Sequence, residues 1–171
     1  MTSARLGFGC WSADDLPQAL ALWGDPEVTR LTGGPFTAPE VTARLSLEIA
    51  TRQRHGYQYW PLYLLQSGDH VGCCGLKPRD PERAVAELGY QLRPQYWSQG
   101  YGRESAAAVV AHAFGALGVR VLYAGHHPQN AASRQLLLGL GFHYSHDEYY
   151  PPTGQLEPCY LLHAGAAAAG R

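Results

Sequence analysis

Apolar residues recur every three or four positions in the first third of the chain, and this spacing predicts two amphipathic helices. A short strand, Arg5 to Trp11, precedes them. Ser12 followed by two acids marks the start of the first helix, and Thr37 with Pro39 marks the start of the second. The residues predicted to face the core are Leu16, Leu20 and Trp23 in the first helix and Val41, Leu45, Leu47 and Ile49 in the second.

The middle of the chain changes to short runs of aromatic and β-branched residues separated by turn residues, which is the pattern of strands. The predicted strands are 57–66, 70–77 and 85–93. Ser67-Gly68-Asp69 forms a hairpin turn between the first two, and a polar loop, 78–83, leads into the third. These three strands should therefore form an antiparallel meander.

Helices and strands alternate in the last part of the chain. A predicted helix, 101–117, leads to a short strand, 119–123, and because a helix joins this strand to the one before it, the two should be parallel. Asn130 caps a further helix ending at Gly139 or Gly141, and a last hairpin pairs 142–150 with 157–163. The inward positions of the first of these helices are predicted to be Ala107, Val110, Ala111 and Phe114.

This order of elements predicts an α+β fold with three layers (α/β three-layer). A mixed, mostly antiparallel central sheet of six to seven strands has helices on both faces and the parallel pair in the middle. Gly89 lies in the strand before the parallel connection, and a glycine inside a strand often marks a bulge. We therefore expect the central parallel pair to splay there and leave a slot. We expect a single domain, 1–171, with a frayed tail, 164–171.

Composition excludes several classes of function. The formal net charge is −1, and Lys and Arg total 13 without forming a run, so we expect no nucleic-acid partner. No apolar stretch approaches the ~20 residues that a membrane span needs, so we expect no membrane partner. The N-terminus lacks the features of a signal peptide, which makes a cytoplasmic protein the default. The four cysteines match no zinc spacing, and we expect reduced, mostly buried thiols.

The segment Trp97 to Gly102 lies between a predicted strand and a predicted helix and carries the clearest functional signal. A glycine-rich turn into a helix leaves backbone N–H groups without partners, and the positive end of the helix dipole adds to their attraction for anions. Gly100 and Gly102 lack the Cβ atoms that would block phosphate oxygens. We therefore predict a pyrophosphate-binding turn; the alternative is a tight turn without a ligand.

Together with two other segments, this turn resembles the GNAT superfamily of N-acetyltransferases, and within it the branch that includes the ribosomal-protein N-terminal acetyltransferases. The three segments are 86–104, Asn130-Ala131-Ala132-Ser133 with Gly141-Phe142, and Asp25-Pro26-Glu27-Val28. The order of elements fits from about residue 5 to residue 163. Three positions depart from the pattern: Trp97 replaces an Arg or Gln, Leu137 replaces a frequent tyrosine acid, and Gly139 replaces a frequent Lys.

The resemblance implies that the protein uses acetyl-CoA as a cosubstrate and needs no metal. The pyrophosphate would lie on the amides from Gln99 to Arg103, and the pantetheine arm would pair with the backbone of the strand before the turn. Arg93, Arg103 and Arg134 are alternatives for binding the 3′-phosphate. The predicted cofactor-binding residues are Tyr90, Gln91, Leu92, Gln99, Gly100, Tyr101, Gly102, Arg103, Asn130 and Ser133.

Two histidine pairs, His126-His127 and His143 with His146, could hold a metal, but ordinary hydrogen-bonded histidines are the commoner explanation.

Two side chains are candidates for catalysis. Glu87 would accept the proton of the amine, and Ser133 would donate to the departing sulfur, while the backbone N–H of Leu92 or a neighbour would bind the oxyanion. The alternatives are an exposed strand carboxylate for Glu87 and a helix-cap role for Ser133. An α-amine has a pKa of about 7.7–8.0, whereas a lysine amine costs about 4 kcal/mol to deprotonate near pH 7.4. A site with one ambiguous base therefore favours an α-amine or another amine of low pKa.

We therefore expect an N-acetyltransferase that moves the acetyl group of acetyl-CoA to a primary amine by direct attack through a tetrahedral intermediate. The acceptor would be a protein N-terminal α-amine or a small-molecule amine. One alternative is a non-catalytic acyl-CoA-binding module of the same fold, and a second is a nucleotide-binding α/β protein, which the glycine pattern does not favour. Relatives with this fold are commonly dimers, so a homodimer is a further expectation.

Overall fold

The computed structural model describes residues 1–165, so residues 166–171 of the predicted frayed tail lie outside the described part of the chain. The helices are α1 (Leu16–Trp23), α2 (Pro26–Thr29), α3 (Ala38–His55), α4 (Tyr101–Gly115) and α5 (Ala131–Gly139). The strands are β1 (Leu6–Phe8), β2 (Tyr59–Leu64), β3 (His70–Asp80), β4 (Val85–Leu92), β5 (Val121–Gly125), β6 (His143–Tyr150) and β7 (Gln155–His163). None of these helices combines the length and the apolar character that crossing a membrane requires.

The seven strands form one mixed sheet in the order β1-β2-β3-β4-β5-β7-β6. Every neighbouring pair is antiparallel except β4 and β5, which lie in the middle of the sheet. The predicted α+β fold with its central parallel pair is therefore confirmed. The helix between β4 and β5 makes this pairing possible, because a parallel connection must cross from one end of the sheet to the other.

The sheet separates two apolar cores. Helices α4 and α5 cover one face, which we call the α4–α5 face, and α1 to α3 cover the other, the α1–α3 face. Successive residues of a strand point to opposite faces, and Cys73 and Cys74 illustrate this, since each thiol is buried in a different core. The same alternation sends Leu88 to the α4–α5 face and Glu87 to the other.

Local signals position α3 beside the sheet. Thr37 and Glu40 form a reciprocal capping box at its start, and Gly56 ends it in the left-handed conformation with φ of 78°. Val41 and Leu45 are buried beneath the helix, as predicted, but Leu47 is 64 % exposed because it lies on the outer side. One turn of α3 therefore leaves Arg44 and Glu48 at the edge of the covered face.

The predicted inner face of α4 was partly wrong. Ala107 and Ala111 are exposed, whereas Ala106, Val109 and Ala113 are buried together with Val110. Small alanines occur all around this helix, so the apolar pattern alone does not distinguish its two sides. Several strand limits also differ from prediction: β1 covers only Leu6–Phe8, β3 continues to Asp80, and β5 begins at Val121.

The parallel pair splays as expected, but not through a bulge. Pairing between β4 and β5 stops at Glu87 and Tyr123, although both strands continue beyond this point, so a slot opens between them. The pairing of β4 with β3 is regular through Gly89, which faces Gly75. The expected bulge at Gly89 is therefore wrong; the slot opens because β4 stays paired with β3, and β5 with β7, after the two strands part.

Gly89 serves a different purpose. Tyr59 pairs with Gly75, which in turn pairs with Gly89, so one aromatic residue and two glycines form a row across three strands. The ring of Tyr59 lies over this row, and its hydroxyl occupies the space that a Cβ atom on Gly89 would need. The absent side chain thus admits the Tyr59 hydroxyl to the edge of the slot.

We expect Gly89→Ala to lower the free energy of unfolding by about 1–3 kcal/mol, because the added methyl group overlaps the Tyr59 hydroxyl. Denaturant unfolding measures this change. Gly115→Ala is the matched control, since a Cβ at this helical position meets open space and should be neutral or slightly stabilising. Equal unfolding midpoints for the two variants would contradict the described packing of Tyr59.

Candidate active site

The slot opens into a cavity of about 620 Å³ that reaches both faces of the sheet. Its walls come from α3, the central strands, the start of α5 and the β6–β7 hairpin. Tyr149, Tyr150 and Pro151 of the hairpin form part of this last wall. Of the residues predicted to act in binding or catalysis, the cavity is lined by Glu87, Tyr90, Gln91, Asn130 and Ser133.

The glycine-rich turn lies outside this cavity, at the start of α4. Gly100 has φ of 83° and no side chain caps the helix. The N–H of Glu104 makes the first helical bond, to the carbonyl of Gly100, at 3.0 Å. The N–H groups of Tyr101, Gly102 and Arg103 therefore precede any intrahelical acceptor, and such groups are the donors that an anion at a helix N-terminus would use.

Arg5 adds a cation to this turn that sequence analysis did not identify. Its two terminal nitrogens donate to the carbonyl of Gln99 at 3.1 Å, and its Nε pairs with Glu104 at 2.7 Å. The guanidinium lies 4.2 Å from the centre of the Tyr101 ring. Because β1 and α4 are far apart in the chain, only the folded sheet edge brings this positive charge to the turn.

The three arginines considered for the 3′-phosphate have separate surroundings. Arg93 donates to the carbonyl of His70 at 3.2 Å, and Arg103, in the first turn of α4, reaches the carbonyl of Gly139 at 3.5 Å. Arg134 lines a second, smaller depression beyond His126. Arg103 and Arg5 are thus the two cations placed beside the glycine-rich turn.

The edge of β4 offers backbone groups to the slot. The N–H of Arg93 donates to the carbonyl of Val71 on β3 at 2.9 Å, so alternation also directs Gln91 toward β3. Tyr90 and Leu92 consequently present their backbone groups to the slot. The carbonyl of Leu92 already accepts the indole N–H of Trp97 at 2.7 Å, which leaves the N–H groups as the groups of interest.

Gln91 differs from its neighbours, because its contacts run through its side chain. Its Oε1 accepts the indole N–H of Trp23 at 3.0 Å, and its Nε2 donates to Thr32 at 3.4 Å. Its backbone faces β3 by the alternation described above. The predicted backbone contact between Gln91 and a pantetheine arm is therefore less favourable than the same contact for Tyr90 or Leu92.

Ser133 lies on the α4–α5 side of the slot, where two residues fix its position. Its N–H donates to Oδ1 of Asn130 at 3.0 Å, which makes Asn130 the cap of α5. Its hydroxyl lies 2.5 Å from the hydroxyl of Tyr90. Burial raises the pKa of Tyr90 to about 12, so this phenol keeps its proton at neutral pH. Sequence analysis identified the backbone of Tyr90 but not this side-chain contact.

Glu87 lies on the α1–α3 side of the slot, and both of its oxygens face cations. Oε1 is 2.9 Å from Nζ of Lys77, and Oε2 is 3.5 Å from a terminal nitrogen of Arg79. Arg79 also pairs with Glu148. The carboxylate of Glu87 thus belongs to a network of charges in the cavity wall.

Glu157 is a second carboxylate on the same side, and sequence analysis did not identify it. It lies on β7, is buried, and lines the cavity. Its Oε1 accepts the hydroxyl of Thr153 at 3.2 Å, and no Lys or Arg within residues 1–165 forms an ion pair with it. Burial raises the pKa of Glu157. A carboxylate in this state accepts a proton more readily than one paired with cations.

His126 lines the cavity from the opposite face. Its ring stacks on Tyr160 with centroids 5.4 Å apart, and its Nδ1 lies 2.8 Å from the carbonyl of His127. A carbonyl can only accept, so Nδ1 carries the proton and Nε2 offers a lone pair, which has no partner in the described part of the chain. Burial lowers the pKa of His126, which keeps the ring neutral.

The histidine pairs considered as metal ligands do not form a ligand group. Across residues 1–165, the group of at least three ligand atoms that lie together consists of His146, Glu148 and Cys159, within 4.8 Å. Protein partners occupy two of them, since Arg79 binds Glu148 and the Tyr123 hydroxyl lies 2.6 Å from the Cys159 sulfur. The prediction that the reaction needs no metal stays a prediction.

Known proteins resemble this chain in sequence. A family model described as an acetyltransferase (GNAT) domain matches residues 5–143. The uncharacterized N-acetyltransferase p20 of Bacillus licheniformis is 28% identical over 140 residues, which are 81% of this chain and 79% of that protein. The FsC-acetyl coenzyme A-N(2)-transacetylase of Aspergillus fumigatus is 29% identical over 146 residues, or 76% of this chain and 60% of that protein.

Solved structures share the fold. An acetyltransferase (GNAT family) from Bacillus anthracis superposes with a TM-score of 0.83 at 18% identity, covering 96% of this chain and 98% of that one. RimL, a ribosomal L7/L12 alpha-N-protein acetyltransferase in complex with coenzyme A, superposes with a TM-score of 0.81 at 18% identity, covering 95% of this chain and 96% of that one. At these identities the likeness concerns the fold.

We expect Gly100→Asp to weaken coenzyme A binding by at least about tenfold, since it places a carboxylate where the helix N-terminus would attract phosphate. Calorimetric titration measures the affinity. Gly68→Asp is the matched control, because Gly68 has φ of 78°, close to the 83° of Gly100. A Cβ atom added to Gly68 would also meet no neighbouring atom within 4 Å. Equal affinity in both variants would exclude this turn as the phosphate site.

Proposed function

The chain belongs to the GNAT acetyltransferase family and is an acetyltransferase, and from this premise we propose that it moves the acetyl group of acetyl-CoA to a primary amine of low pKa. The acceptor we favour is a protein N-terminal α-amine or a small-molecule amine. The observation that carries the proposal is the slot, whose edge offers unpaired backbone N–H groups between Ser133 on one face and Glu157 on the other. The fold shared with RimL supports placing the chain in the ribosomal-protein acetyltransferase branch.

Acetyl-CoA supplies an activated thioester, and we propose that this chain holds it along the path from the glycine-rich turn to the slot. The N–H groups of α4 between Tyr101 and Arg103 would hold the pyrophosphate, with Gln99 and Gly100 shaping the turn. Tyr90 and Leu92 would pair with the pantetheine arm, and Asn130 and Ser133 would border it at the start of α5. The dipoles of two helices thus point toward the same extended ligand.

We propose Glu157 as the group that accepts the proton of the amine, in preference to Glu87. Glu157 is buried and has no Lys or Arg partner among residues 1–165, whereas Lys77 and Arg79 both bind Glu87. With Glu157 as the base, Glu87 would instead hold Lys77 and Arg79 in place beside the acceptor amine. The original assignment of Glu87 as the base stays a prediction that the same experiment decides.

The departing thiol needs only modest help, because a thiol has a pKa near ~8.5. We propose that the Tyr90 hydroxyl donates a hydrogen bond to the oxygen of Ser133, so that the Ser133 hydroxyl is free to donate one to the sulfur. The raised pKa of Tyr90 supports this direction, since the phenol stays protonated. The tyrosine acid that Leu137 replaces would then not be required for departure of the thiol.

Charge on the carbonyl oxygen requires donors at the fork of the two strands. We propose that the N–H of Leu92 or of Tyr90 supplies one of them, whichever of the two the pantetheine arm leaves free. The hydroxyl of Tyr59, which lies beside Gly89, supplies another. Burial, reinforced by the nearby charge of Glu87, holds the pKa of Tyr59 well above its usual value, so the hydroxyl is a donor at neutral pH.

Thiol release from acetyl-CoA tests the proposed function directly. We expect peptides with a free N-terminus to react faster than peptides whose only amine is a lysine side chain, because the lysine amine costs about 4 kcal/mol to deprotonate near pH 7.4. Faster reaction of the lysine peptides would exclude an amine of low pKa as the preferred acceptor. Retained coenzyme A binding without thiol release from any amine would favour the non-catalytic binding module.

We expect Glu157→Gln to lower kcat by roughly 100-fold while coenzyme A affinity is unchanged, because the variant loses the proton acceptor. Below its raised pKa the Glu157 carboxyl is protonated and inactive, so the wild-type rate should rise with pH through that pKa and the variant should lose this rise. Stopped assays over a range of pH measure both effects.

Glu87→Gln provides the comparison, and exposed Glu82→Gln is the matched control with no expected effect. A smaller loss for Glu87→Gln than for Glu157→Gln supports the proposed assignment. The reverse order would restore Glu87 as the base.

A further inference from the structure

Among residues 1–165, three Lys or Arg side chains line the cavity, and one of them differs from the others in its ion pairing. Lys77 and Arg79 are bound to the carboxylates of Glu87 and Glu148. Arg44 has a single long ion pair, from its Nε to Oε1 of Glu48 at 3.9 Å. Within residues 1–165 its terminal nitrogens donate no hydrogen bond, so the donors of this guanidinium are available to a ligand.

The guanidinium of Arg44 is held in place without using those donors. It lies 4.4 Å from the centre of the Trp23 ring and 5.7 Å from that of Tyr59. Trp23 is fully buried, and its indole N–H is bound to Gln91. Stacking on fixed aromatic rings leaves the planar fork of an arginine oriented and only partly hydrated, since the side chain is 26 % exposed.

Glu48 does not neutralise this fork. Its Oε2 accepts the backbone N–H of Tyr59 at 2.8 Å, so one oxygen is committed to the strand. Burial raises the pKa of Glu48, which disfavours its charged form. The pair with Arg44 is therefore long and weak, and a second carboxylate can approach the outer side of the guanidinium.

Arg44 lies near the proposed reacting centre, at the fork of β4 and β5. Tyr59 lies between them: its ring is near the guanidinium, and its hydroxyl is at Gly89 on the edge of the slot. An anion bound to Arg44 is thus about one tyrosine ring away from the fork of the strands. Glu157, which pairs with no Lys or Arg in the described part of the chain, lies across the same cavity.

We propose that the acceptor amine carries a carboxylate, and that Arg44 binds this carboxylate through its terminal nitrogens. This inference rests on the proposed acetyl transfer and narrows its substrate to amines that also bear a carboxylate. In such a molecule the carboxylate would pair with Arg44, and the amine would give its proton to Glu157. A bidentate arginine–carboxylate contact recognises it by geometry as well as by charge. Two sources supply this chemistry: a free amino acid, and a peptide whose first residue is Asp or Glu.

Matched substrates test the inference in the intact protein. One arm compares tripeptide amides that begin with Asp or Asn, and the other compares alanine with alaninamide, each pair at equal concentration of neutral amine. We expect kcat/KM to favour the carboxylate member of at least one pair by roughly 10- to 100-fold, the usual effect of hydrogen bonds to a charged group. The arm that shows the preference identifies the source.

Arg44→Gln should abolish this preference by raising KM for the carboxylate substrate, and Arg44→Lys should retain part of it. Arg54→Gln, an exposed change on the same helix, is the matched control and should keep the wild-type preference. Turnover without any preference in the wild-type protein, or an unchanged preference in Arg44→Gln, would overturn the inference.

A binding measurement separates this inference from the proposed function. N-acetyl-aspartyl and N-acetyl-asparaginyl dipeptide amides, together with N-acetylalanine and its amide, resemble the products and need no catalysis. Calorimetry should show tighter binding of a carboxylate form, and Arg44→Gln should remove the difference. Selective binding without turnover would leave the carboxylate site standing and reject acetyl transfer to these amines. Equal binding of the paired ligands would reject the site.

Discussion

The early end of one strand pairing determines the rest of the site. After Glu87 and Tyr123, β4 and β5 no longer exchange hydrogen bonds, although each strand continues. Backbone N–H groups of β4 are then left at an edge in the middle of the protein, where the sheet would otherwise be closed. An extended ligand with amide groups can satisfy them. The cavity, the position of Ser133 and the approach from both faces all follow from this interruption.

The alternation of side chains along the strands sorts the chemistry onto two faces. Tyr90 and His126 lie on the α4–α5 face with Ser133, where the thiol would depart. Glu87 and Glu157 lie on the α1–α3 face, where the amine would arrive. In the proposed reaction the sheet would thus separate the group that leaves from the group that attacks, and the two would meet in the slot. No residue has to serve both ends of the reaction.

Sequence features that act locally were the most predictable. The glycine-rich turn, the Asn130 cap beside Ser133 and the helical connection between β4 and β5 each depend on neighbours in the chain. The residues that were missed depend on distant partners. Arg5 reaches the turn across the sheet edge, and Glu157 reaches the cavity wall only through the pairing of β7 with β5. The local sequence around Arg5 or Glu157 does not indicate these long-range contacts.

The row formed by Tyr59, Gly75 and Gly89 ties three strands to one another in their choice of amino acid. The ring and hydroxyl of Tyr59 fill the space that a side chain at Gly89 would need, and the backbone at Gln58 and Tyr59 fills the space that one at Gly75 would need. A larger residue on β4 demands a smaller one on β2, and neither substitution is neutral alone. Variation at the centre of this sheet must therefore proceed by compensating exchanges of volume between strands that are distant in the chain.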